Sequence, residues 1–474
     1  MKKLFSIGKL LDDSHLSWQK SKSLFFAVEK QNKIIIYNRH GSQTHTIDIT
    51  TKLIYLEWDN NDQKLIFMCH KEAKLGLWSI KHNNVKNFDL EFPETITCFN
   101  YSLKKSKLAL GDVKGNILIV DTTTLKKWPI IGKHTKKITE IKWNVLNTVG
   151  CISDDKKLSI SNEIGENVAT INIGKIVKFV KFGCIKSESS QEICLYVSCI
   201  ADQSLLIDKV EEPKNEYIKF DDAYGDIISY EWCENENIVV AFKNGYIVTV
   251  SAKTRMEMTT YKEFSYEIYE MAPSQDHLII AGDNKINLYS IFDTKYALES
   301  YMLDEIGSTN ISKLNVSLDG QLMSILTKKA SMFIILVKLP IIKGLSNDSF
   351  VFLSSIREIT IVDENFHECK IEVELEPSCI SIFKKKLALC NDKTLHVYNI
   401  HTTESGDSIE LSDRKICNYE IVDVRINLLN CAVLCADKTI SLIKASKYLI
   451  MTINQVVFHY VWIYKLKPSL QIDQ

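Results

Sequence analysis

The sequence contains no Cys-x-x-Cys pair, and no second Cys or His pair stands at zinc-ligand spacing. Cys431 and Cys435 are close in sequence, as are His396 and His401, but neither pair has a companion. Strings of the forms GxSxG, HExxH, GxxxxGK[ST] and GxGxxG are also missing. These absences leave no catalytic, cofactor-binding or metal-binding residue to nominate. Charge of one sign is lacking as well, since 58 Lys and Arg face 59 Asp and Glu, a formal net charge of -1. So even a balance gives no electrostatic reason to expect a nucleic-acid or membrane-surface partner. The local basic runs, Lys133, Lys136, Lys137 and Lys142, and Lys384 to Lys386, read as solvated loops or strand edges. The 13 scattered cysteines suit reduced, buried thiols in a cytosolic protein. Few windows carry apolar residues at helical spacing, which argues against a doubly wound or helical-repeat fold.

Long apolar runs are few. At the N-terminus, Lys9 and then Asp12-Asp13 interrupt the apolar stretch too early for a signal peptide, and no cleavage site follows. The stretch from Tyr448 to Tyr464 contains Asn454, Gln455 and His459 and sits at the short limit for a membrane span. Two strands, or a helix packed on protein, are expected there, with no membrane insertion.

What the sequence does have is an internal period. Trp18, Trp58, Trp143 and Trp232 each open a similar passage of polar turn, short apolar strand, second turn and second strand. Trp18 leads to Leu24-Phe25-Phe26-Ala27-Val28 and then Ile34-Ile35-Ile36-Tyr37; Trp58 leads to Leu65-Ile66-Phe67-Met68 and Leu75-Gly76-Leu77-Trp78. Phe99 and Phe179 head two more copies. Further copies hold Leu278 to Tyr289 and Leu318 to Leu336. The spacing, roughly 40 to 50 residues, is that of WD-type repeats with four strands each. Val, Ile, Leu, Phe and Tyr fill the runs, and Asp-Gly, Asn-Gly or Asp-Lys pairs separate them. One four-stranded blade cannot bury both its faces. Stacking blades round a ring supplies the second face and leaves few exposed edges.

The expected fold is therefore all-β, a WD40-type β-propeller over residues 1–342. Seven blades are the first expectation. Eight passages can be counted, and eight blades are the alternative if none shares strands with the N-terminus. Lys3-Leu4-Phe5-Ser6-Ile7 is expected to pair with the strand near Phe333 to Val337 and close the ring. From Ser346 the strands persist but no Trp leads them. Residues 343–445 read as two to three blades of an incomplete second propeller, and 446–474 as a divergent tail of a truncated chain.

Several strings now stand out. Gly132-Lys133-His134-Thr135-Lys136-Lys137-Ile138-Thr139 precedes Trp143-Asn144. Others are Arg39-His40-Gly41, Val113-Lys114-Gly115-Asn116, Gly282-Asp283-Asn284, Asp319-Gly320-Gln321-Leu322 and Lys338-Leu339-Pro340-Ile341. In this order they resemble the amino-terminal propeller of the WD repeat-containing protein 19 family, a core subunit of intraflagellar transport complex A. The resemblance runs from Met1 to about Ile443 and thins after Ile342. It implies a non-catalytic scaffold acting in retrograde ciliary transport and in ciliary entry of membrane proteins. The implied partners are the other complex A subunits, adaptor proteins and, indirectly, dynein. The implied location is the cilium, at axoneme and basal body, and the cytoplasm. Family members continue into a completed second propeller and a helical-repeat arm, whereas this sequence ends at Gln474. The alternative is another WD-repeat vesicle-coat or trafficking scaffold. An enzyme built on a propeller is the remaining rival, and it would need convergent Asp, Glu or His residues on the innermost strands.

His134 is the one residue with a catalytic look. In WD repeats a His at this place lies in a buried hydrogen-bond network. Asp154 or Asp155 and Ser159 are the candidate partners, with the Trp143 indole able to join. Asp12-Asp13, Asp154-Asp155 and Asp221-Asp222 read as turn residues. The four leading tryptophans read as anchors between blades.

Overall fold

Strand follows strand from Lys2 to Ile453. The computed structural model describes residues 1–453 apart from 9, 11–12, 71, 93, 187–192, 234–235, 275, 307–310, 347–348, 404–405 and 445–449. Among the described residues there is no α-helix, only two short 3-10 turns. Among the same residues, no helix is long and apolar enough to cross a membrane. Of the apolar stretch from Tyr448 to Tyr464, Ile450–Ile453 is a strand; the rest lies outside the described residues, as do Asp12 and residues 454–474 of the tail.

The chain divides into two compact units, Met1–Lys338 and a second beginning at Leu339. In the first, each passage found in the sequence forms one antiparallel four-stranded sheet. The first strands of the eight sheets are Leu16–Trp18, Leu53–Trp58, Ile96–Tyr101, Ile138–Trp143, Val177–Lys186, Ile227–Trp232, Ile268–Pro273 and Ile311–Val316. First strand packs on first strand from one sheet to the next, while fourth strands such as Asn84–Asp89 and Glu257–Lys262 are largely exposed. First strands therefore line the middle and fourth strands the rim of a WD40-type β-propeller. The expectation of seven blades is corrected to eight four-stranded sheets. Trp18 owns a complete sheet, and the N-terminal strand completes the eighth instead of replacing one.

That N-terminal strand, Lys2–Ile7, pairs with Met332–Leu336, with Lys3 opposite Ile335 and Ser6 opposite Phe333. The closure expected from the sequence is thus present. It is reinforced along the seam between sheets eight and one. The Leu10 N–H donates to the Ala330 carbonyl at 2.7 Å, and the Trp18 indole to Ser324 Oγ at 3.3 Å. Lys313 Nζ donates to the Asp13 and Ser14 carbonyls at 3.2 and 3.1 Å. Arg39 pairs with Asp319 at 3.2 Å and donates to Gln321 at 2.8 Å. Two strings that mark the family resemblance, distant in sequence, meet here.

The core lies between sheets rather than inside any one of them. Ile34, Ile36 and Ala27 of sheet one pack with Leu53, Trp58 and Leu65 of sheet two. The same sharing recurs round the unit, as between sheets five and six and between seven and eight. Each fully buried Ile, Leu, Val or Phe contributes roughly 1.5–3 kcal/mol. Near-continuous apolar runs in the second and third strands, such as Lys64–Cys69 and Leu322–Thr327, are what burial on both faces requires.

First strands are sheet edges, and their unpaired N–H groups need acceptors. The adjoining sheet supplies them. Ser17 Oγ accepts from Trp58 N at 3.3 Å, Asn100 Oδ1 from Trp143 N at 2.8 Å, and Glu140 from Val180 N at 3.1 Å. The tryptophan indoles reach the same way. Trp143 Nε1 donates to the Asn100 carbonyl at 3.0 Å and Trp232 Nε1 to Ser198 Oγ at 2.8 Å, each in the preceding sheet. Gly183 leaves room for this, since a Cβ there would lie 2.2 Å from the Trp232 ring. A β-bulge recurs two or three residues into seven of the eight first strands, between Leu53 and Tyr55 and between Ile138 and Glu140 for example. Each bulge bends its strand and strengthens the local twist.

The second unit holds three sheets of the same kind among the described residues. Their first strands are Lys343–Leu345, Cys379–Phe383 and Ile421–Ile426. Ser381 Oγ accepts from Ile426 N at 3.1 Å, and the third sheet carries the bulge between Ile421 and Asp423. The repeat's local chemistry continues past Leu339.

Candidate protein-interaction face

Antiparallel order within each sheet puts the second-to-third and fourth-to-first connections on one face of the first unit. His134 lies in such a connection. Its Nδ1 donates to Asp155 at 3.1 Å, so Nε2 accepts from the Ser159 hydroxyl at 2.8 Å. Asp155 also accepts from Thr135 N at 3.1 Å. The partner is Asp155, not Asp154. The Trp143 indole does not join, because it is spent on the Asn100 carbonyl of the preceding sheet. Burial holds the His134 imidazole below its ordinary value, against the opposing pull of Asp155. Burial opposes ionisation of Asp155, but the bonds from Thr135 and His134 outweigh it and hold its carboxyl below the usual range.

Serine, imidazole and carboxylate in line would suit acyl transfer in an open cleft. Here His134 is 4% exposed and Ser159 1% exposed, so no substrate carbonyl can reach the hydroxyl. The set instead ties one loop to one sheet. Gly115 completes the arrangement. It adopts φ +93°, and a Cβ there would lie 2.7 Å from the His134 and Lys136 carbonyls.

The innermost strands do carry carboxylates, and most are bound across the sheet boundary. Glu57 pairs with Lys20, Glu231 with Lys181, and Glu140 accepts from Val180 N. Burial raises the Glu140 and Glu270 carboxyls, with Lys142 and Lys181 respectively among the groups working against it. Among the described residues no group of three His, Cys, Asp or Glu is placed to hold a metal ion. Asp154 and Asp155 sit in a turn, and Asp221 caps the 3-10 turn Asp222–Tyr224 by accepting from Ala223 N at 2.9 Å.

What the face offers is charge in sectors. Around sheet four its loops carry Lys114, Lys133, Lys136, Lys137, Lys156 and Lys175. Lys133 is turned inward to Ser161 Oγ at 2.6 Å, and Lys136 and Lys137 are exposed. From sheet five to sheet eight the same face carries Asp202, Asp221, Asp222, Asp226, Glu267, Asp283 and Asp304, which outnumber Lys243, Lys328 and Lys329 there. Within that acidic sector lies an open groove of about 410 Å³, lined by Lys243, Tyr246, Lys262, Tyr266 and Glu267 among others. Tyr224 and Tyr246 pack with ring centroids 4.9 Å apart, and Tyr266 is 79% exposed. An even overall charge hid this segregation from the sequence. It becomes visible only once the turns are assigned to one face.

Comparison with known proteins decides the family. Residues 14–330 match the family model described as the WDR19 first beta-propeller. The chain belongs to that family. WD repeat-containing protein 19 of Mus musculus is 27% identical over 414 residues, covering 82% of this chain and 30% of the relative. The Homo sapiens protein of the same name is 27% identical over 407 residues, with the same coverage. WD repeat-containing protein dyf-2 of Caenorhabditis elegans is 25% identical over 384 residues, covering 78% of this chain and 28% of the relative. The chain thus spans under a third of the length of these relatives. Among solved structures, the C-terminal WD40 domain of Sif2 superimposes with a TM-score of 0.55 at 12% identity, covering 71% of this chain and 98% of that one. Sqt1 of Saccharomyces cerevisiae gives 0.57 at 10% identity, with 71% and 99% covered. Those likenesses concern fold alone. Together with the family match, they make the chain a WD-repeat β-propeller protein.

Proposed function

We propose that this chain is a non-catalytic scaffold subunit of intraflagellar transport complex A, acting in retrograde ciliary transport and in ciliary entry of membrane proteins. The observation that carries the reading is the alignment with WD repeat-containing protein 19 and dyf-2 over about four fifths of this chain. Partners dock on the loop face of the first unit, through many contacts spread over its charged sectors rather than through one deep pocket. They are other complex A subunits and adaptor proteins, with dynein engaged indirectly. The site of action is the cilium, at axoneme and basal body, supplied from the cytoplasm.

The test is affinity purification of the tagged chain from ciliated cells, with co-purifying proteins identified by mass spectrometry. Recovery of complex A subunits, reduced when Lys136 and Lys137 or Asp221 and Asp222 are reversed in charge, is the expected result. Recovery of vesicle-coat subunits instead would overturn the ciliary assignment and support another trafficking scaffold.

A further inference from the structure

Two cysteines of the second unit stand directly opposite each other. Cys379 opens the strand Cys379–Phe383, Cys390 lies near the end of Lys386–Asn391, and the two are cross-strand partners. Direct partners in an antiparallel pair project to the same face with Cα atoms about 4.5–5.5 Å apart. A disulfide spans Cα separations of about 4.4–6.8 Å.

Their surroundings differ in a useful way. Cys390 is fully buried among Leu395, Val397, Val424 and Cys431, whereas Cys379 is half-buried at the edge of that cluster. The bond from the Cys390 thiol, ahead of opposing burial, holds Cys379 below the ordinary thiol value. The same contact, with burial behind it, pushes Cys390 up. A reachable, thiolate-prone cysteine beside a buried thiol has the arrangement of an attacking and a resolving residue. A second thiol contact in this unit, Cys417 with Cys435, lacks the asymmetry, because burial raises both.

We propose that Cys379 and Cys390 form a reversible intramolecular disulfide on exposure to a hydroperoxide. The Cys379 thiolate attacks one oxygen of hydrogen peroxide. An S–O bond forms, the O–O bond breaks, and hydroxide leaves. The Cys390 thiol then attacks the sulfenic sulfur. The S–S bond forms, the S–O bond breaks, and the departing hydroxide takes the thiol proton away as water. The peroxide accepts the two electrons that the thiols lose, and a dithiol reverses the link. The product closes the hairpin of the middle sheet at the end away from its turn.

The experiment treats the full chain with hydrogen peroxide, alkylates free thiols, and maps linked peptides by mass spectrometry. A Cys379–Cys390 linked peptide that dithiothreitol removes is expected, and it should be absent from Cys379→Ser. In Cys390→Ala the resolving thiol is gone, so dimedone should label Cys379 as sulfenic acid. Equal alkylation of Cys379 and Cys390 before and after peroxide would overturn the proposal. So would a link confined to Cys417 and Cys435, or dimedone labelling of Cys390→Ala that spares Cys379.

Discussion

In the first unit, four of eight first strands end in tryptophan; in the second, the three first strands end in Leu345, Phe383 and Ile426. Both units use the same bond at the sheet boundary, a side-chain oxygen accepting from the next first strand, as Ser17 does for Trp58 and Ser381 for Ile426. Among the described residues, only the first adds indole bonds reaching back and a strand exchanged between its ends. The difference separates two jobs. Side-chain caps satisfy an edge locally, and any two stacked sheets can use them. Closure needs long-range stitches that only a completed set of sheets can make.

The comparison can be broken first at Trp18, which is 7% exposed and bonds across the seam to Ser324. Trp18→Ala should cost about 3–5 kcal/mol, read by chemical denaturation. Hydrogen exchange should rise in the first and eighth sheets, with the three sheets after Leu339 unchanged.

Arg39 comes next. Its side chain is 6% exposed against Asp319, so Arg39→Ala strands a partly buried carboxylate. A loss of about 3 kcal/mol is expected. Restoration in the double variant Arg39→Met with Asp319→Leu would show that the pairing, not the arginine alone, holds the seam.

Acid sharpens the same comparison. Burial, then Lys313 and Lys52, depress the His15 imidazole to about 4. A base depressed in the folded state contributes stability that is full above its unfolded value of 6.5 and is lost as pH falls toward about 4. For His15 the loss is on the order of 3 kcal/mol. His134, also held low by burial, works in the same direction. His15→Gln should therefore flatten the fall in melting temperature between pH 7 and pH 4 relative to the native chain. An identical slope in both would contradict the burial argument.

The smallest effect tests what the two units share. Ser17→Ala and Ser381→Ala each leave one first-strand N–H without its acceptor, at about 1–2 kcal/mol. Similar losses in the two would show that the boundary cap is a common device. A loss confined to Ser17 would limit it to the closed unit.

The repeat itself was legible because most passages open on an aromatic residue that must be buried against a neighbour. Trp18, Trp58, Trp143 and Trp232 gave its period directly, and the pairing of Lys3 to Ile7 with Phe333 to Val337 followed from the need to close a ring. The number of sheets was not legible. Strand sharing at the seam is a register question, and composition does not tell whether the N-terminal strand replaces a strand or adds one. Asp154 and Asp155 could not be told apart either, since adjacent turn residues differ only in which way the turn faces. The recurring bulges were silent, because a residue type such as Ile54 or Thr97 carries no mark of the extra position. The charged face was hidden for a simpler reason: its residues come from loops scattered along some two hundred positions, and only the fold collects them.

The measurement closest to the central claim removes Met1 to Ile7 and follows unfolding and hydrogen exchange of the remaining chain. Closure by the N-terminal strand predicts a large fall in melting temperature, with protection lost first in Met332–Leu336 and then in the first and eighth sheets. An unchanged melting temperature, with Met332–Leu336 still protected, would mean that the ring does not depend on that strand and would contradict the account.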